Sequence, residues 1–122
     1  MEKTFALTNA EEKLAGLIWD NEPVASMQLV KTAGDIFGWK KSTTFSVLKT
    51  LIKKDAAQNI HSTVTMCYTR AQYISGQSRV YVENAFGGSL PKFVTSFIGG
   101  QKLTREQARE LIRLIDENTE DS

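Results

Sequence analysis

Apolar positions along the chain fall into helical stripes at both ends and an alternating stretch in the middle. Leu14, Leu17 and Ile18 recur at helical spacing up to Asp20. Ahead of them, Thr8-Asn9-Ala10-Glu11 reads as a capping box, with Thr8 as N-cap and Glu11 at N3. Pro23 follows the stop, and Val24-Ala25 form a short extended link. Ser26 is placed to cap a second helix that turns Leu29, Val30, Ala33 and Ile36 or Phe37 inward and ends at Gly38. A third helix is expected from about Ser42 to Lys54. Beyond it, Ile60, Val64, Met66 and Tyr68 occupy even positions, a period-2 pattern that predicts a small hairpin turning near His61-Ser62-Thr63.

The third helix carries the chemistry. At 100° per residue, Thr44, Val47, Leu48, Leu51 and Ile52 share one face, while Ser42, Thr43, Ser46, Lys49, Thr50 and Lys53 share the other. Phe45 falls on the boundary, where it can meet a thymine methyl or pack against the hairpin. Between Ile36 and Lys54 there are five lysines and no acid. Short hydroxyl side chains allow close approach to a major groove, and lysines offset phosphate charge. An ordinary surface helix mixes Glu with Lys, and this face has no Glu. Ser42, Thr43, Ser46 and Lys49 are therefore the expected base-edge readers. Lys40, Lys41, Lys53 and Lys54 are the expected phosphate contacts. Three helices followed by a hairpin is the order of a winged helix-turn-helix.

The second half is helical and built differently. A segment from about Gln72 to Phe86 carries Tyr73, Tyr81 and Phe86, and Gly87-Gly88 breaks it. Ser89 caps a short helix holding Leu90, Phe93, Val94, Phe97 and Ile98, which Gly99-Gly100 ends. Thr104 and Gln107 form another capping box, and Leu111, Leu114 and Ile115 stripe the last helix. So many large apolar side chains on short helices need a covering surface, and a second copy related by a two-fold axis is the simplest one. A two-fold pair of groove-reading helices selects palindromic duplex DNA with half-sites about one helical turn apart. The expected architecture is mainly α with a small β-hairpin. A winged helix-turn-helix (residues 1–70) is followed by a helical dimerisation region (71–122).

Composition narrows the class. The chain has 122 residues and a net charge of +1, which suits one domain with an assembly segment. That total hides a basic first half, since residues 1–70 hold nine Lys or Arg against seven Asp or Glu. The opening MEKTFALTNAEEK puts acids where a secretion signal needs an apolar core. Cys67 is the one cysteine and cannot form an internal bridge. Both features point to a cytoplasmic protein. His61 and Cys67 are too few ligands for a zinc site and lack an orienting partner for nucleophilic catalysis, so no metal, cofactor or enzymatic role is expected.

Four stretches in order, LTNAEEKLAGLIWDNEP, WKKSTTFSVLKTLIKK, FGGSLPKFVTSFI and LTREQARELIRLIDE, make the sequence similar to the penicillinase-repressor family of bacterial winged-helix repressors. The resemblance implies a homodimeric transcriptional repressor of β-lactam resistance or stress genes. In the third helix it keeps Trp39, Thr43, Leu48, Leu51, Lys53 and Lys54 of the family pattern but replaces the family's residues at Lys41, Ser42, Phe45, Lys49 and Thr50. Scaffold positions are held while reading positions change, which implies a different operator. The family's Gly-Arg hairpin tip aligns with Thr63-Val64, which removes a cationic contact and leaves His61 as a partial substitute. By the same resemblance, a membrane receptor protease would cut at Ser96–Phe97, where better-known members carry Asn in the first position. The cysteine cluster of the family's copper-responsive branch is absent. The degraded wing leaves one alternative, a winged-helix interaction module or heterodimer subunit with weak DNA affinity.

Overall fold

The computed structural model describes residues 5–120. In chain order the elements are α1 (Asn9–Asn21), β1 (Val24–Ala25), α2 (Ser26–Phe37), α3 (Lys41–Lys53), β2 (Ala57–Ile60), β3 (Thr63–Met66), α4 (Arg70–Phe86), α5 (Leu90–Ile98) and α6 (Arg105–Glu117). The chain divides into two compact units, one ending at Val80 and the other beginning at Tyr81, so the division falls inside α4.

In the first unit, helical periodicity becomes a shared core. Leu14 and Ile18 of α1, Leu29 of α2, Leu48 and Leu51 of α3, and Val64 of β3 are fully buried together. Burial of each such side chain contributes about 1.5–3 kcal/mol. The three helices carry a sheet of order β1-β3-β2, antiparallel throughout. This is the expected winged helix-turn-helix, mainly α with a small β element.

Four local expectations are corrected. Val24-Ala25 is not a bare link: it pairs with Val64 and Thr63 and becomes the third strand. Ser26 does not cap α2. Ala25 holds the N-cap position, and the Ser26 amide donates to the Ser62 carbonyl at 2.9 Å, which ties the helix start to the hairpin. Ile60 is exposed although Val64, Met66 and Tyr68 are buried. Cross-strand partners share a face, and here Ala57 opposes Met66 and Ile60 opposes Thr63. The register therefore pairs odd with even positions, and the inward parity of β3 becomes the outward parity of β2. Finally, the turn falls at His61-Ser62, within the expected His61-Ser62-Thr63, while Thr63-Val64, aligned by the resemblance with the family's tip, lies in β3. Both turn residues have positive φ (52° and 62°), as a two-residue type I′ turn requires.

The second unit follows the punctuation of its sequence. The Ser89 hydroxyl accepts from the Lys92 amide at the start of α5, and Thr104 and Gln107 complete their capping box at the start of α6. Tyr81, Phe86, Phe93 and Phe97 form a chain of aromatic contacts with ring centroids 5.7–6.2 Å apart. Among the described residues from Tyr81 onward, none is buried. Phe97 is 73% exposed, and Leu111, Ile112, Leu114 and Ile115 are all exposed on α6.

One ionic contact links the beginning of the first unit to the end of α3. The Glu11 carboxylate, its side chain only 4% exposed, accepts from the Lys54 ammonium at 2.5 Å and from the Thr8 amide at 2.7 Å. Lys54 also donates to the Ala6 carbonyl at 3.1 Å. Burial pushes the Glu11 carboxyl up, but the bonds from Lys54 and Thr8 outweigh it and hold its pKa down at about 2. A carboxyl depressed in the fold stabilises above its ordinary value of 4.5 and loses that contribution as pH falls toward 2. The loss amounts to roughly 3 kcal/mol. Chemical denaturation across this window should show that acid limb in the wild type and a much flatter one in Glu11→Gln. Parallel limbs would contradict the assignment.

Candidate nucleic-acid interface

α2 and α3 are joined by a turn that Gly38 makes possible. Gly38 sits at φ 70°, and its amide caps α2 through the Ala33 and Gly34 carbonyls. Trp39 then packs on Phe37 with ring centroids 5.0 Å apart, which fixes where α3 begins. α3 seats itself through Thr44, Leu48 and Leu51, the buried positions of its inward stripe. Its geometry then leaves Ser42, Thr43, Ser46, Lys49 and Lys53 exposed on the opposite side. Ser42, Ser46, Lys49 and Lys53 lie one above another at helical spacing, with Thr43 beside them.

The electrostatics of this face are uniformly positive. Among the described residues, Lys40, Lys41, Lys49 and Lys53 form no ion pair. No side chain caps the α3 N-terminus, so its first-turn amides stand with their partial positive charge beside Lys40 and Lys41. A helix end of that kind suits an anion. The structure thus brings seven of the eight expected DNA-binding residues onto one exposed region at and along α3.

Lys54 stands apart. Its ammonium is committed to Glu11 and Ala6, and the side chain works as a strut within the fold. Thr50 likewise turns its hydroxyl back to the Val47 carbonyl at 2.8 Å. Phe45 is half-buried and packs against the core, and the Lys41 ammonium lies 5.9 Å from its ring centroid. The wing carries Gln58, Asn59, Ile60, His61 and Ser62 exposed, with no Lys, Arg, Asp or Glu among them.

Of the residues expected at a dimer interface, Tyr73 lies in the core of the first unit, 5% exposed beside Trp19 and Tyr68. Tyr81, Phe86, Leu90, Phe93, Val94, Phe97, Ile98, Leu111, Leu114 and Ile115 all lie in the second unit. Phe93, Val94, Phe97, Ile98, Leu103 and Leu111 line a wholly apolar hollow of about 210 Å³. The Ser96–Phe97 bond is exposed in the last turn of α5, where the Ser96 carbonyl accepts from the Gly99 amide at 3.2 Å. Among the described residues no cluster of three His, Cys, Asp or Glu could hold a metal, and no helix is long and apolar enough to cross a membrane. Sequence patterning missed two features: the commitment of Lys54 to Glu11, and the docking of α4 on α1. Both depend on residues more than 40 positions apart, which no local periodicity reports.

The penicillinase-repressor family model matches residues 7–117, which takes in both units. A penicillinase repressor of Bacillus licheniformis is 24% identical over 122 residues, covering 97% of this chain and 95% of that protein. With the winged helix, the acid-free exposed α3 and a match over nearly the whole chain, the protein belongs to the penicillinase-repressor family and is a DNA-binding transcriptional repressor.

Proposed function

We propose that the protein acts as a homodimer that represses transcription by setting α3 of each protomer into successive major grooves of a palindromic operator. The observation that carries this reading is the exposed, acid-free face of α3, along which Ser42, Thr43, Ser46 and Lys49 lie. Lys40, Lys41 and Lys53 neutralise phosphates, and Lys54 is left out because it is held by Glu11. The winged-helix unit reads DNA and the second unit holds the protomers together. Exposed apolar side chains along α5 and α6, and the apolar hollow beside Phe97, are what a second copy would cover. The genes controlled would be those of β-lactam resistance or stress defence, and the compartment the cytoplasm.

The Ser96–Phe97 bond lies between Phe93 and the Gly99-Gly100 break, so cutting it would sever α6 from the rest of the apolar surface. Cleavage by a receptor-linked protease would then couple derepression to loss of the dimer. Cells exposed to a β-lactam should accumulate a fragment of residues 1–96, and persistence of the full-length chain alone would count against this route.

Three phosphate contacts per protomer give a slope of log K against log salt of about −5 for the dimer. The double variant Lys49→Glu/Lys53→Glu should weaken duplex binding by at least about a hundredfold through loss and reversal of charge. A gel shift with DNA from upstream of its own locus checks both, and an unchanged affinity in the charge-reversed protein would place the interface elsewhere. For the dimer, Phe97→Lys with Leu114→Lys should convert the protein to monomer in sedimentation and weaken operator binding while leaving the thermal unfolding of the winged-helix unit in place. A wild type that sediments as a monomer at micromolar concentration would overturn the two-fold arrangement.

A further inference from the structure

Inside the first unit, the start of α4 has two adjoining faces with different neighbours. One is docked on α1: Arg70 donates to the Gly16 carbonyl at 3.1 Å and to the Asp20 carboxylate at 2.9 Å. On that same face Tyr73 donates its hydroxyl to the Glu12 carboxylate at 2.7 Å. The other face carries Ala71, Gln72, Ser75, Gly76 and Arg79, which together span about 140° of the helix. These residues, with Phe5 and Tyr68, line an open pocket of about 430 Å³. Its whole lining belongs to the first unit. Ligand pockets with a largely apolar lining and a few polar groups run from about 300 to 1,000 Å³.

One wall of the pocket is aromatic and fixed. The Phe5 and Tyr68 ring centroids lie 5.1 Å apart. The Gln77 amide donates to the Phe5 carbonyl, and the Phe5 ring lies so close to Gly76 that a Cβ there would sit 2.5 Å from ring carbons. The polar lining has one sign. Gln72 accepts from the Thr69 amide at 2.8 Å through its side-chain oxygen, and its Nε2 donates to no described residue. The Ser75 hydroxyl and the Arg79 guanidinium likewise bond to none of the described residues. No Asp or Glu lines the pocket. Burial pushes the Tyr68 phenol up, so it adds no negative charge. A guanidinium offers paired N–H donors that match the two oxygens of a carboxylate. A flat hydrocarbon body suits an aromatic wall.

We propose that this pocket binds a small organic acid, a carboxylate carried on a flat aromatic body. Arg79 and the Gln72 amide hold the carboxylate, Ser75 adds a hydroxyl donor, and Phe5 with Tyr68 forms the wall against which the ring lies. The site goes beyond the DNA reading and stands without it, since the pocket shares no residue with the exposed face of α3. Neither half of the ligand suffices. A bare anion leaves the aromatic wall uncovered, and an uncharged ring leaves Arg79 without its partner.

The test is a titration of the full-length protein with cinnamate, with its neutral amide cinnamamide and with acetate, followed through backbone amide shifts. Cinnamate should bind with a dissociation constant below about 1 mM. The signals it moves most should be those of Ala71, Gln72, Ser75, Gly76 and Arg79. Cinnamamide should bind about tenfold more weakly, and acetate, which has the charge without the ring, more weakly still. R79M should bind cinnamate about tenfold more weakly than the wild type and cinnamamide as well as the wild type does. Arg79 is exposed, so its replacement spares the core. Should R79M nonetheless fail to fold by circular dichroism, the wild type's preference for acid over amide carries the same expectation and the same refutation. No saturation up to about 10 mM cinnamate overturns the proposal. So does a largest change outside the pocket, equal affinity for acid and amide, or a folded R79M that binds cinnamate as tightly as the wild type.

Discussion

A buried carboxylate with a cationic partner ties α3 to the start of the fold. Glu11 sits in the first turn of α1, and Lys54 caps the far end of α3. Their contact at 2.5 Å ties the start of the fold to α3, the helix proposed to read DNA. Removing either partner leaves a charge or its neighbours unsatisfied in a closed environment, at a cost of several kcal/mol for a fully buried pair and less here, since Lys54 is about one-third exposed. The same carboxylate closes the capping box with Thr8. One side chain thus serves the helix start, the Ala6–Thr8 segment and the orientation of α3.

Because α3 is held from behind, its exposed face is free to be chemically simple. Thr44, Leu48 and Leu51 face the core, and what remains outward is hydroxyls and lysines, together with Ile52, which the pattern predicts inward but which is exposed near the helix end. No carboxylate competes for those lysines, so their charge is available to a polyanion. The proposed DNA reading rests on an omission, the lack of acids from Ile36 to Lys54, as much as on any residue present. The wing, without Lys, Arg, Asp or Glu from Ala57 to Met66, fits the same division, with charge concentrated on α3.

Much of this was legible in the chain. The Thr8–Glu11 and Thr104–Gln107 boxes, the Gly38, Gly87-Gly88 and Gly99-Gly100 breaks and the two faces of α3 all act within one or two helical turns, so periodicity and capping report them directly. The rest is tertiary. Lys54 continues the basic run and sits where a phosphate contact is expected, yet a glutamate 43 positions earlier claims it. Ile60 obeys the alternation of its neighbours, yet the register across His61-Ser62 turns it outward. Tyr73 belongs by sequence to the aromatic series that runs on to Phe97, yet Trp19 and Glu12 draw it into the first unit. In each case local pattern identified the residue type correctly, and a distant partner decided its role.

The central claim is that α3, held by Glu11 and Lys54, presents its outer face to the duplex. Amide chemical shifts recorded while an operator duplex is added would test it residue by residue. The largest changes should run along Lys41 to Lys49, with the amides of α5 and α6 little moved. Changes confined to α5 and α6, with α3 silent, would contradict it.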